Sequence, residues 1–140
     1  MRAGGRTQRC DSADARRRLQ HAKQFLAVGE LAADDQREDG SLEYGNAAAT
    51  LAVLAGIAAA DAACCKALGR RSRADDHQEA SVLVRQVADV GDQAAKELRA
   101  LIALKNDAQY GFYTVGGTEL TGALRRARRL VDLAELVLTR

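Results

Sequence analysis

The chain has 140 residues, 47% of them hydrophobic and 29% charged, and its 21 Lys and Arg against 19 Asp and Glu leave a formal net charge of +2. One core serves a chain of that length, the apolar share is too high for a disordered segment, and the charge balance excludes a chain that acts as a polycation throughout. Without proline or tryptophan, and with only three tyrosines and two phenylalanines, the composition favours helix formers over strand formers, so the fold class expected is all-α.

The first ten residues carry Arg2, Arg6 and Arg9, then Asp11 and Asp14. No apolar segment follows the arginines, so the stretch does not read as a secretory signal. Residues 1–11 are expected to be a flexible tail and 12–140 a helical domain. The first helix is expected from Ser12 to Asp35, with Leu19, Ala22, Phe25, Leu26 and Ala33 on one face and Val28 and Leu31 widening the stripe. A turn through the charged run 34–39 closes at Gly40.

The second helix is expected from Leu42 to Leu68, apolar nearly all round, with Ala48, Ala52, Ala55 and Gly56 permitting close approach. Its run from Ala47 to Ala60, apolar except for Thr50, meets Asp61 short of the roughly twenty residues a membrane-spanning helix needs, which makes it a core helix and predicts no membrane contact. Gly69 suits a left-handed helix end. Asp76 and Glu79 have the spacing of a capping pair. The third helix is then expected from His77 to Lys105, on Leu83, Val84, Val87, Val90, Ala94, Leu98 and Leu101. After a glycine-bounded loop holding Phe112 and Tyr113, Thr118 is expected to cap a fourth helix along Leu120, Ala127, Leu130, Val131 and Val137. Four helices with short connections predict an up-down antiparallel four-helix bundle.

That topology would gather Arg16, Arg17, Arg18, Lys66, Arg70, Arg71, Arg73, His77 and Arg140 at one end, opposed mainly by Asp75 and Asp76. Clustered arginines bind phosphate through bidentate hydrogen bonds and counterion release, although arginine runs also serve simply as a solvated surface. The other end would hold Asp34, Asp35, Glu38, Asp39 and Glu43 against Arg125, Arg126, Arg128 and Arg129.

Asp61, alone on an apolar helix, must pair, face a cleft or lie at an interface, because a buried carboxylate without a partner is costly. It is a candidate buried polar site, and a pocket-bearing fold would place an apolar cavity beside it. His77, at a helix start beside arginines, would have a lowered pKa and could act as a general base, or it serves as a helix-end hydrogen-bonding group. His21 reads as a surface or structural residue. Cys10, Cys64 and Cys65 form neither a disulfide framework nor a zinc site, and the reading is a reduced, cytoplasmic chain with no metal and no cofactor. The glycine-rich stretch 116–122 lacks the lysine and preceding strand of a phosphate loop.

Four features together resemble the HEPN superfamily over residues 12–138: the helical layout, the segment Ala62-Ala63-Cys64-Cys65-Lys66-Ala67-Leu68-Gly69, then His77-Gln78-Glu79-Ala80, and Lys105-Asn106-Asp107-Ala108-Gln109-Tyr110 before the last helix. The resemblance implies a helical bundle, commonly a homodimer, among RNA-cleaving toxins of toxin-antitoxin systems, defence proteins and non-catalytic RNA or nucleotide binders, often with a protein partner encoded nearby. The nuclease signature of that superfamily is an arginine, a polar neighbour and a histidine four to six residues on, near the junction of the last two helices. Here that junction has Lys105 and Tyr110. Lysine lacks the planar fork, and a phenol with an unperturbed pKa of about 10 is no base near neutrality. Arg71 and His77, with Ser72 between them, satisfy the spacing one junction earlier.

The expected function is therefore RNA or nucleotide binding through Arg70, Arg71, Arg73, Lys105 and Tyr110, with His77 and Arg71 as the catalytic pair if the chain is a ribonuclease. The alternative is a non-catalytic module that docks a protein partner, as an antitoxin or regulatory subunit does.

Overall fold

The computed structural model describes residues 6–73, 77–110 and 112–140. Within them lie five helices and one small sheet: β1 (Thr7–Arg9), α1 (Ser12–Ala33), α2 (Gly45–Leu68), β2 (Arg70–Ser72), α3 (Gln78–Val84), α4 (Gly91–Tyr110) and α5 (Gly117–Thr139). The chain is mostly helical, as its composition requires.

Asp11 starts α1, its side chain accepting from the Asp14 amide while Asp14 accepts in return from the Asp11 amide. Such a cap contributes about 1 kcal/mol. Next in the chain, α2 is the central element, with buried residues on every side, from Gly45 and Ala48 to Cys64 and Cys65. Alanine makes this possible, since small side chains let several helices approach one axis. A Cβ on Gly56 would meet the Leu101 side chain at 2.5 Å and that of Leu130 at 3.1 Å, so glycine is what allows α4 and α5 to close on α2 here. By length and hydropathy α2 passes as a membrane-crossing helix, yet 83% of its most apolar stretch is buried inside the fold.

Ion pairs and hydrogen bonds fix the helix directions. Lys23 pairs with Glu135 and Glu30 with Arg128, so α1 and α5 are antiparallel. Glu97 meets Arg126 and Arg129, and Asp89 beside the start of α4 meets Arg140, so α4 and α5 are antiparallel as well. At the far end, the Asn46 side chain donates to Ala108 O and Tyr113 O and accepts from the Val115 amide, tying the start of α2 to the end of α4 and the following loop.

Three sequence expectations are corrected. First, the single helix expected over 77–105 is two, α3 and α4. Asp89 has φ +70°, and a Cβ at Gly91 would lie 2.3 Å from Arg85 O, so the chain turns sharply there. Val84, Val87 and Val90 stay buried through the turn, which keeps the apolar spacing helical where the backbone is not. Second, α5 begins at Gly117 behind Gly116, whose amide donates to Glu119, and not at a Thr118 cap.

The third concerns the N-terminus. The expected tail is tied down from Arg6 onward: β1 pairs antiparallel with β2, Thr7 opposite Ser72 and Arg9 opposite Arg70. Cys10 and Cys65 are joined as a disulfide, with a Cα–Cα distance of 5.3 Å. The left-handed Gly69 (φ 72°) ends α2 and leads into β2, which lies against β1, and the Cys10 amide donates to Gly69 O at 3.0 Å, so the two sulfurs come together. The reading of three free thiols is thereby overturned, and the cytoplasmic expectation loses the support it drew from them. Cys64 is the free thiol among the described residues, buried. Burial first, and then the nearby Asp61 charge, push it up to about 12, so it is not a nucleophile.

Candidate functional site: a basic basin over Asp61

Three elements meet where α1 begins and α2 ends. From α2, Asp61 is 4% exposed, and its Oδ2 accepts from Arg18 Nε of α1 at 3.2 Å and lies 3.7 Å from Arg71 Nη1 of β2. Burial raises the Asp61 pKa, with the two arginines opposing but not cancelling that effect. Both arginines remain about one-third exposed. Their guanidinium groups therefore face solvent on one side and the buried carboxylate on the other.

Around them lies a basin of about 280 Å³ lined by Arg18, Ile57, Asp61, Arg71, Ser72, Arg73, His77 and Ala80. Among the described residues, four cationic or imidazole side chains share this space with one carboxylate, which Arg18 and Arg71 cover and only partly compensate. Such a site attracts anions, and fork-shaped guanidinium groups suit phosphate oxygens. The lining is mainly polar, so the apolar cavity that a pocket-bearing fold would put beside Asp61 is not what lies there. No group of His, Cys, Asp and Glu among the described residues is suited to hold a metal ion.

The sequence-predicted residues separate into two sets. Arg71, Arg73 and His77 converge with Asp61, and Arg18 joins them. Arg70 does not, because alternate residues of a strand face opposite ways. It lines another depression with Arg6, Glu79 and Gln86 and donates to Gln86 Oε1 at 3.3 Å. Lys105 lies near the end of α4 that packs on the start of α2, at the opposite end of the molecule from the basin. The Tyr110 side chain, and the opposing acids Asp75 and Asp76 with the capping pair expected at Asp76, lie outside the described residues. Arg140 is engaged by Asp89 and Ala88 O.

Sequence reading missed Glu97. It is 2% exposed, with Arg126 Nη1 at 2.6 Å on one oxygen and Arg129 Nη1 at 2.9 Å on the other. Burial alone would raise its pKa, but hydrogen bonds from Arg129 and Arg126 outweigh that and hold it below the usual carboxylate range. The signal was present: Glu97 falls in the buried stripe of Ala94, Leu98 and Leu101. Arg126 and Arg129 of α5 are thus held by Glu97 and Arg128 by Glu30, rather than by the acidic run 34–43.

Comparison with protein-family models, curated proteins and solved structures returned no match.

Proposed function

We propose that the chain is an RNA-binding, HEPN-like protein whose four long helices α1, α2, α4 and α5 form an up-down bundle, with α3 inserted beside the binding end. The observation that carries this reading is the convergence of Arg18, Arg71, Arg73 and His77 on one basin above the buried carboxylate of Asp61. The arginine–polar–histidine spacing noted in the sequence, Arg71-Ser72 to His77, lines that single basin, whereas Lys105 lies at the other end of the molecule. Arg71 and Arg73 hold a phosphate. If the bound strand is cut, His77 is the imidazole in that basin able to take the 2′-hydroxyl proton.

The test measures RNA affinity across salt concentrations together with cleavage of total RNA. Arg71→Glu with Arg73→Glu weakens binding and flattens its salt dependence, because phosphate contacts release counterions. His77→Ala keeps binding and abolishes any cleavage. Unchanged affinity in the charge-reversed double variant overturns the reading.

A second reading, a docking module for a protein partner or a second copy, is favoured by Val28 and Leu31, which are 51% and 70% exposed three residues apart on α1. Polar substitution of both separates the two readings: it disrupts a protein complex and leaves RNA affinity untouched.

A further inference from the structure

A second depression adjoins the basin. It measures about 390 Å³ and is lined by Gln8, Arg9 and Cys10 of the N-terminal strand segment, by Asp14, Arg17, Arg18 and His21 of α1, and by Cys65 and Arg71. Arg18 and Arg71 therefore line both spaces, forming a wall between them. Gln8 Oε1 accepts from Arg71 Nη2 at 2.7 Å, and Asp61 accepts from Arg18 beneath, so the wall is held from both sides. Arg17 is offset by Asp14 at 3.0 Å, while Arg9 is exposed and has no ion pair among the described residues. Among the described residues that line it, one carboxylate, Asp14, stands against Arg9, Arg17, Arg18 and Arg71. Among the described residues, the imidazoles of His21 and His77 are the aromatic rings of the two spaces, and at about 390 and 280 Å³ both are small beside the roughly 300–1,000 Å³ of small-molecule pockets.

Resting on the RNA-binding reading of the first basin, we infer that the two spaces form one track for a phosphodiester strand, with successive phosphates on either side of the Arg18–Arg71 wall. Recognition is through the backbone phosphates. The disulfide has a part in this: it fastens the end of β1 to the end of α2, which fixes Gln8 and Arg9 at the second space.

The experiment compares, by fluorescence anisotropy, a dinucleoside monophosphate with a single-stranded oligoribonucleotide of about a dozen nucleotides, on the oxidised protein at several salt concentrations. The wild-type chain binds the long strand at least tenfold more tightly than the short one. Arg9→Ala with Arg17→Ala, both at exposed positions, weakens the long strand about tenfold, lowers its salt slope by about one to two, and leaves the short ligand unchanged. Arg73→Ala weakens both ligands.

If the Arg9/Arg17 double variant binds the long strand as wild type does while Arg73→Ala still weakens both ligands, the second space is not part of the site and the first reading stands. If the double variant weakens short and long ligands equally, the two-space track is likewise overturned. If Arg73→Ala changes neither ligand, the RNA reading itself falls and the track falls with it. Circular dichroism of each variant identifies loss of fold, and Arg9→Lys with Arg17→Lys restores binding of the long strand if charge is what the site uses.

Discussion

Two buried carboxylates, Asp61 and Glu97, each meet two arginines, yet their surroundings differ. Glu97 has one arginine on each oxygen at 2.6 and 2.9 Å, both from α5, and its pKa is lowered. Asp61 has both arginines on one oxygen at 3.2 and 3.7 Å, from α1 and β2, and its pKa is raised. In the first case the charges are satisfied by one another. In the second the carboxylate is under-compensated and holds two arginines in place while their outer faces stay exposed. A closed ion triad stabilises a helix pair; an open one prepares an anion site.

The largest expected effect tests the tether at the Asp61 end. Reducing Cys10–Cys65, which spans 55 residues, removes about 4 kcal/mol by the chain-entropy relation, read as a drop in the denaturant midpoint on adding a dithiol. An unchanged midpoint means that the tether does not stabilise this end.

Next, Glu97→Gln costs about 2–3 kcal/mol, at the lower end for a buried pair because Arg126 and Arg129 are roughly half exposed and rehydrate. Asp61→Asn costs below about 1 kcal/mol, since its burial penalty already offsets much of its pairing. Equal losses in urea unfolding would break the contrast between the two sites.

The contrast also has opposite signs in pH. For Glu97 the folded pKa lies below its ordinary value of 4.5, so its stabilisation is present above that value and is lost as pH falls through the folded value. For Asp61 the folded pKa lies above 3.8, so stability falls as pH rises from about there through the folded value. Stability curves should show Glu97→Gln flattening the acid limb and Asp61→Asn removing a slope of the reverse sign. The smallest effect is on binding: Asp61→Asn loosens its hold on Arg18 and Arg71 and weakens RNA about twofold, about 0.4 kcal/mol. Tighter binding would mean that Asp61 competes with the ligand and does not position the two arginines.

Much of the fold was legible. The apolar stripe of α1, the all-round burial of α2 and the left-handed Gly69 follow from spacing and residue type. The break before α4 was not, because Val84, Val87 and Val90 keep a helical rhythm while Asp89 and Gly91 turn the backbone. Of the site, Arg71, Arg73, His77 and Asp61 were picked out, but Arg18 was one arginine in a run of three. Its role depends on which of the three faces α2. Arg70 was grouped with its neighbours because strand alternation applies only once residues 70–72 are known to be a strand.

Sequence alone determined that this chain is helical, that α2 lies at the centre and that arginines flank its end. Those properties are local, set by side-chain size, spacing and charge along consecutive turns. Tertiary structure decided the Cys10–Cys65 link, the β1–β2 pairing and the difference between Asp61 and Glu97. Each depends on groups distant in the chain meeting at a few ångströms, where partner geometry and lost water set the energy, and neither is encoded in neighbouring residues.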